Sequence, residues 1–172
     1  LSGINVQRGK VESTGAMQIN VNINKINTTG AYLIFTQSEP GTIFNADDWI
    51  TGRIVNETQI SFQMSSIASS LNGPISWQVV NANNGNFRVQ RGDTIMSLGV
   101  TNLSVGLPTN INTLKSFLLF SLTEGTADSY LGGAVSVAGY ISNYTSLQFN
   151  RSLDSTTLVL SWQVIEFADS TN

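Results

Sequence analysis

The sequence predicts an all-β fold: two tandem antiparallel β-sandwich repeats, jelly-roll-like and of about six strands each, over residues 1–82 and 83–172. Two tetrapeptides that recur predict the duplication. Val6-Gln7-Arg8-Gly9 returns 83 residues later as Val89-Gln90-Arg91-Gly92, and Ser76-Trp77-Gln78-Val79 returns 85 residues later as Ser161-Trp162-Gln163-Val164. Recurrence at one period is the signature of repeat architecture. No amphipathic helix of useful length interrupts the pattern.

The strands of the first repeat follow from alternating apolar residues, which are typical of a sheet with one buried and one exposed face. Glycine and proline turn signals separate the segments. We expect strands at Ile4–Val6, Met17–Ile23, Tyr32–Phe35, Trp49–Ile54, Ile60–Phe62 and Ile75–Val79.

The second repeat follows the same plan, with offsets that change only where loops are expected, since loops accept insertions and strands do not. Leu103–Leu107 matches Ile19–Ile23, and Phe117–Phe120 matches Tyr32–Phe35. The segment 139–149 matches 52–62 at an offset of 87.

The boundary between the repeats contains Asn84-Gly85, a strong hairpin signal because a type I′ turn needs positive φ at both central residues. Two interpretations are open, a hairpin and a flexible linker. In the hairpin, the last strand of repeat one pairs with the first strand of repeat two. The strands around Val6 and Trp162 would then lack partners and pair between molecules. Alternatively, the first and last strands pair within each repeat.

Composition excludes several functions. Charged residues are only 11% of the chain, against about 25% in a typical soluble domain, so Asn, Ser, Thr and Gln must form most of the polar surface. A net charge of −3 without a basic run argues against nucleic acid. The chain has no cysteine and no histidine, which removes thiol chemistry, zinc sites with N or S ligands and Ser-His-Asp machinery. We expect no cofactor.

Apolar runs such as Phe117–Phe120 are far too short to cross a bilayer, so no membrane insertion is expected. The chain starts at Leu1 without a signal segment, and both a removed leader and an excerpt of a longer protein fit that start.

Four charged residues keep their identity at matching places: Arg8 with Arg91, and Glu39 with Glu124. The structural interpretation is an Arg–Glu pair, or guanidinium hydrogen bonds to strand ends, that fixes where two strands meet. The functional interpretation is a small polar-ligand site used twice. One arginine and one glutamate form no recognisable catalytic set, which favours structure.

The aromatic residues fall into two groups. Trp77 and Trp162 have alternating apolar neighbours and are expected to anchor the core. Trp49 and Tyr130, with Tyr140 and Tyr144, lie near expected loops and are the candidates for stacking against sugars.

The closing segment Trp162–Phe167, WQVIEF, resembles the ending of tandem sandwich repeats in phage and bacterial surface proteins. Each repeat runs from VQRG through an aromatic-led apolar strand and a Thr/Phe strand to a tryptophan strand. This order is similar to that of the H-type lectin domain. The resemblance implies a six-stranded antiparallel sandwich, and no sugar-contact motif carries over residue by residue.

The leading hypothesis is a non-catalytic structural subunit of an extracellular or virion assembly: a decoration, fibre or filament protein that assembles with itself or with partner proteins, through exchange of end strands. The alternative is a lectin-like adhesin that binds surface glycans through loop aromatics. An enzyme with paired carboxylates is disfavoured, because the 11 acidic residues are scattered.

Overall fold

A computed structural model of the chain describes residues 3–12, 16–38, 49–64, 73–124 and 132–168. Over these ranges the fold is all-β, as predicted. The strands are β1 Ile4–Val11, β2 Gln18–Asn22, β3 Ala31–Gln37, β4 Thr51–Asn56, β5 Gln59–Gln63, β6 Ile75–Ala82, β7 Phe87–Met96, β8 Asn102–Gly106, β9 Ser116–Glu124, β10 Val137–Asn143, β11 Ser146–Arg151 and β12 Leu158–Phe167. The described helical elements are a 3-10 turn, Thr28–Gly30, and α1, Gly132–Val135.

The strands form four antiparallel sheets of three strands each. The N-terminal half (residues 3–82) contributes sheet 1, with the order β1-β6-β3, and sheet 2, with the order β2-β5-β4. The C-terminal half (residues 87–168) contributes sheet 3, β7-β12-β9, and sheet 4, β8-β11-β10. The two halves therefore have the same strand order.

The tryptophan strand is the central strand of its sheet in both halves. β6 is hydrogen-bonded to β1 on one side and to β3 on the other, so it has no free edge for β7. β12 is likewise enclosed by β7 and β9. The hairpin prediction for the boundary is therefore wrong, and the first and last strands pair within each half. Gly85 has φ of 73°, but no described non-glycine residue has positive φ, so Asn84 does not supply the other half of a type I′ turn.

The two recurring tetrapeptides contact each other, and this explains why they recur together. Gly9 lies opposite Trp77 in the β1–β6 ladder, and Gly92 lies opposite Trp162 in the β7–β12 ladder. A Cβ atom at either glycine would lie 2.6 Å from Cζ2 of the facing indole ring. Only glycine leaves room for the tryptophan across the strand pair, so each half needs both motifs.

Several side-chain hydrogen bonds also occur at matching places in both halves. The amide of Gln7 donates to Asn24 O at 2.9 Å and accepts from Asn24 N at 2.7 Å. Gln90 makes the same pair of bonds to the backbone of Thr109, both at 2.9 Å. Gln7 thereby binds the segment after β2 to β1, and Gln90 binds the segment after β8 to β7.

Three apolar clusters hold the sheets together. One draws on sheets 1 and 2, with Leu33, Phe62 and Trp77 among its members. The second draws on sheets 3 and 4, with Phe149 and Trp162. A third, smaller cluster contains residues of both halves, so the halves pack against each other through apolar side chains.

We expect Gly92→Ala to destabilise the protein by about 1–3 kcal/mol, because the added methyl would lie 2.6 Å from a carbon of the buried Trp162 ring, which must shift. Gly106→Ala is the matched control, since a Cβ there meets no atom within 4 Å, and it should change stability by less than about 0.5 kcal/mol. Urea unfolding measures both. Equal midpoints for the two variants would contradict the role given to the glycine.

Candidate functional site at the junction of the two halves

The junction places the outer face of sheet 3 against the border of the N-terminal half. Side chains alternate along a strand, so Trp162 and Val164 of β12 enter the core of the C-terminal half while Ser161, Gln163 and Ile165 point away from it. The latter three are nonetheless buried, because the N-terminal half covers them. We call this covered surface of sheet 3 the junction face.

Gln163 makes the most specific contact of the junction. Its side-chain amide donates from Nε2 to Leu33 O and accepts from Leu33 N, both at 2.9 Å. Leu33 is in β3, an edge strand whose outward backbone groups would otherwise lack a partner. Gln163 is 8% exposed and Leu33 is 2% exposed, so water cannot replace these hydrogen bonds. The amide group of Gln163 thus makes the two backbone hydrogen bonds that a neighbouring strand would make with Leu33.

Arg91, beside Gln163 on the junction face, binds the start of the same edge. Its Nη2 donates to Thr28 O and Ala31 O, each at 2.6 Å. Burial lowers the pKa of the Arg91 guanidinium from its ordinary value. Of the two structural interpretations of the repeated arginine, these bonds correspond to a guanidinium bound to carbonyls at a strand end.

Glu124 does not lie beside Arg91. It is opposite Leu158 in the sheet, whereas Arg91 is opposite Gln163, five residues further along β12, or roughly 16 Å. An Arg91–Glu124 pair is therefore not formed. Glu124 is buried at the end of β9.

Further polar contacts join β4 of the N-terminal half to the junction face. Gly52 N donates to Ser121 Oγ at 3.1 Å, and Arg53 forms an ion pair with Asp93 at 2.9 Å. Asp93 also accepts a hydrogen bond from Ser161 Oγ. A cavity of about 180 Å³ lies among these residues. We call the part of the N-terminal half from Thr28 to Leu33, with Gly52 and Arg53, the junction side.

Aromatic rings close one end of the junction. Tyr32 packs edge-on against Phe87, with ring centroids 5.3 Å apart, and against Phe117, at 6.1 Å. Such pairs are worth about 0.5–1.5 kcal/mol beyond the area that they bury. The junction thus combines an apolar end with a polar centre, which fixes the halves in one relative orientation.

The remaining candidate residues are distributed over the molecule. Val6 and Arg8 are exposed on the outer face of sheet 1, whereas Trp77 and Trp162 are buried in the two cores. Trp49 is half-buried and packs against the C-terminal core cluster. Glu39 and Tyr130 lie outside the described residues. Tyr140 and Tyr144 are exposed.

Trp49 borders a cavity of about 380 Å³ between the halves. Its walls include the rings of Phe35 and Phe120 and the side chains of Gln37 and Ser121. Nε2 of Gln37 is buried and has no hydrogen-bond partner in the described part of the chain. Because this atom is buried, it does not open into the cavity, and what the cavity offers to an occupant is chiefly an aromatic surface.

Sequence reasoning named the arginines and tryptophans of the repeated tetrapeptides but missed Gln78 and Gln163. Both occur in the repeated Ser-Trp-Gln-Val, so the signal was present. An uncharged amide gives no sign of its role until the facing backbone edge is known.

Comparison with protein-family models, curated proteins and solved structures gives no match to this chain. The described residues contain no group of three or more Asp, Glu, His or Cys side chains arranged to bind a metal ion. Among the described helices, none has the length and apolar character needed to span a membrane.

We expect Gln163→Met to cost about 1–3 kcal/mol of unfolding free energy for each Leu33 backbone group left buried without a partner. Methionine keeps the length of the side chain but makes neither bond. Gln78→Met is the matched control, because Gln78 has the same place in sheet 1 and is exposed. Urea unfolding of both variants tests this. An equal loss of unfolding free energy at positions 78 and 163 would show that the two hydrogen bonds between Gln163 and Leu33 contribute nothing to stability.

Proposed function

We propose that the chain is a non-catalytic structural subunit of an extracellular or virion assembly, such as a decoration, fibre or filament protein. We also infer that each half is a β-sandwich, so that the chain consists of two tandem sandwich repeats. The shared strand order and the core cluster common to the two sheets of each half support this architecture.

The observation that carries the proposal is the use of the repeated residues. Gly92 accommodates Trp162, Gln90 clamps a loop, and Arg91 and Gln163 bind the backbone of the other half. Each contact is architectural. These repeated residues hold strands and halves together, which supports a structural role for the chain.

Exchange of end strands is not the route that these contacts favour. β1 is paired with β6 along its whole length, from Ile4 opposite Ala82 to Val11 opposite Ile75. Exchange would first have to break this ladder. Docking of folded units is therefore the preferred route of assembly, since it leaves every sheet intact.

The purified chain of 18.5 kDa should have a mass in solution that rises with concentration, because a subunit built for assembly is expected to associate with itself. Light scattering gives the mass, and electron microscopy of the same sample should show rings or elongated particles. A strict monomer at high concentration would contradict self-assembly.

A lectin-like adhesin is the second candidate, and the cavity beside Trp49 is the observation that favours it. Sugars bind proteins through aromatic stacking combined with a few oriented hydrogen bonds. Trp49 lines this cavity together with Phe35 and Phe120, and the polar residues Thr36 and Ser136 line it too.

If the adhesin hypothesis is right, a glycan array should give specific binding, and Trp49→Ala should weaken it by about tenfold or more, equal to about 1.4 kcal/mol. Trp49→Phe is the control, because it retains a ring and much of the packing against the C-terminal core. Absence of binding by the unmodified chain, or equal binding by the alanine variant, would reject this function.

A further inference from the structure

The junction face has a counterpart in the N-terminal half, the outer face of sheet 1, which the C-terminal half covers only at the end formed by Ile4, Tyr32 and Val80. Sheet 1 presents the same strand order and the same Arg and Gln on its outer surface. Val89 is 8% exposed on the junction face, whereas its counterpart Val6 is 36% exposed. Gln163 is buried, whereas Gln78 and Arg8 are exposed. We call this region of sheet 1 the open face.

The junction side also has a counterpart, at the border of β9 and β10 in the C-terminal half. Leu118 has the same register against β12 that Leu33 has against β6, and Ser116 corresponds to Ala31. Ala31 and Leu33 are buried in the junction, whereas Ser116 and Leu118 are only half-buried. We call this border the open side.

Outside its aromatic end, where Tyr32 contacts its own counterpart Phe117, the junction is heterologous: it joins two unlike surfaces. An interface of this kind leaves the exposed part of each counterpart surface available, and it can continue from molecule to molecule as a ring or a filament. Neither the Arg8 nor the Gln78 side chain has a hydrogen bond or an ion pair among the described residues, so the internal junction gives no reason for their identities.

We propose that a second copy of this chain docks its open side onto the open face, so that copies associate head to tail through a repetition of the internal junction. In this contact Gln78 clamps the outward backbone of Leu118, and Arg8 binds the carbonyls of Thr113 and Ser116. The inference deepens the proposed function and rests on it, since it supplies the surface by which the subunit assembles.

A third contact of the internal junction, besides those of Gln163 and Arg91, has counterparts with the same chemical groups on the two open surfaces. In the internal junction, Gly52 N donates to the hydroxyl of Ser121. The counterpart of Ser121 on the open face is Thr36, which also carries a hydroxyl and is exposed at the border of the cavity beside Trp49. The counterpart of Gly52 is Gly139, which lies opposite Phe149 as Gly52 lies opposite Phe62. Gly139 N can therefore donate to Thr36 of the next copy.

The ion pair of the internal junction is not retained. Arg53 corresponds to Tyr140, and Asp93 corresponds to Lys10, so a lysine meets a tyrosine where the internal junction has opposite charges. We expect the contact between copies to be weaker than the internal one and to depend on concentration. Restoring the charges as Lys10→Asp with Tyr140→Arg should strengthen it.

The first test removes the clamps. The double variant Arg8→Ala/Gln78→Ala should weaken self-association by about tenfold or more, measured by sedimentation or light scattering across a concentration series. Both residues are exposed, so thermal unfolding at a concentration where the chain is monomeric should be unchanged. Leu153→Ala, an exposed position between β11 and β12 outside both open surfaces, should associate as the unmodified chain does.

The second test identifies the surfaces. The chain has no cysteine, so Lys10→Cys and Tyr140→Cys each place a single thiol on one open surface. A short bismaleimide should link the two variants to each other when they are mixed, while each alone gives little dimer. Arg53→Cys/Asp93→Cys, which links the internal junction, is the positive control.

The outcomes separate this inference from the proposed function. Assemblies that persist in Arg8→Ala/Gln78→Ala and give no Lys10→Cys to Tyr140→Cys product would overturn head-to-tail docking and leave the structural role in place. Dimers of Lys10→Cys alone would overturn it in favour of a symmetric contact. A chain that stays monomeric even with Lys10→Asp/Tyr140→Arg would overturn both the inference and self-assembly.

Discussion

The central position of the tryptophan strand is the constraint on which the rest of the structure depends. With β1 on one side and β3 on the other, β6 uses all its outward backbone groups within its own half, and β12 does the same. Neither central strand can therefore pair with a strand of the other half. The halves must join through side chains, and the outer face of the central strand is where they do so.

At that junction, side chains make the hydrogen bonds to the edge of β3 that a neighbouring strand would otherwise make. The border of β3 ends in backbone groups that are costly to bury without partners. Gln163 satisfies the two groups of Leu33, and Arg91 satisfies two carbonyls at the start of the strand. The edge is thus buried without extending the sheet, so open-ended strand pairing, the usual hazard of an exposed edge, is avoided there.

The all-β fold and the strand positions were predictable, because the alternation of apolar and polar residues is a local property of the sequence. The pairing of Gly9 with Trp77 was not, although both lie in recurring motifs. Asn84-Gly85 favoured a hairpin locally, but a turn cannot decide strand pairing when β6 already has two partners. The roles of Arg91 and Gln163 depend on how the halves pack, which no short-range pattern encodes.

The same topology determines when each strand finds its partners during synthesis. In each half the central strand is the last to leave the ribosome, so β1 and β3, and later β7 and β9, have no neighbour in their sheet until it emerges. Pairing between strands distant in sequence slows folding and prolongs exposure of apolar edges. Nascent chains of this protein are therefore expected to need protection by chaperones until the final strand completes each half.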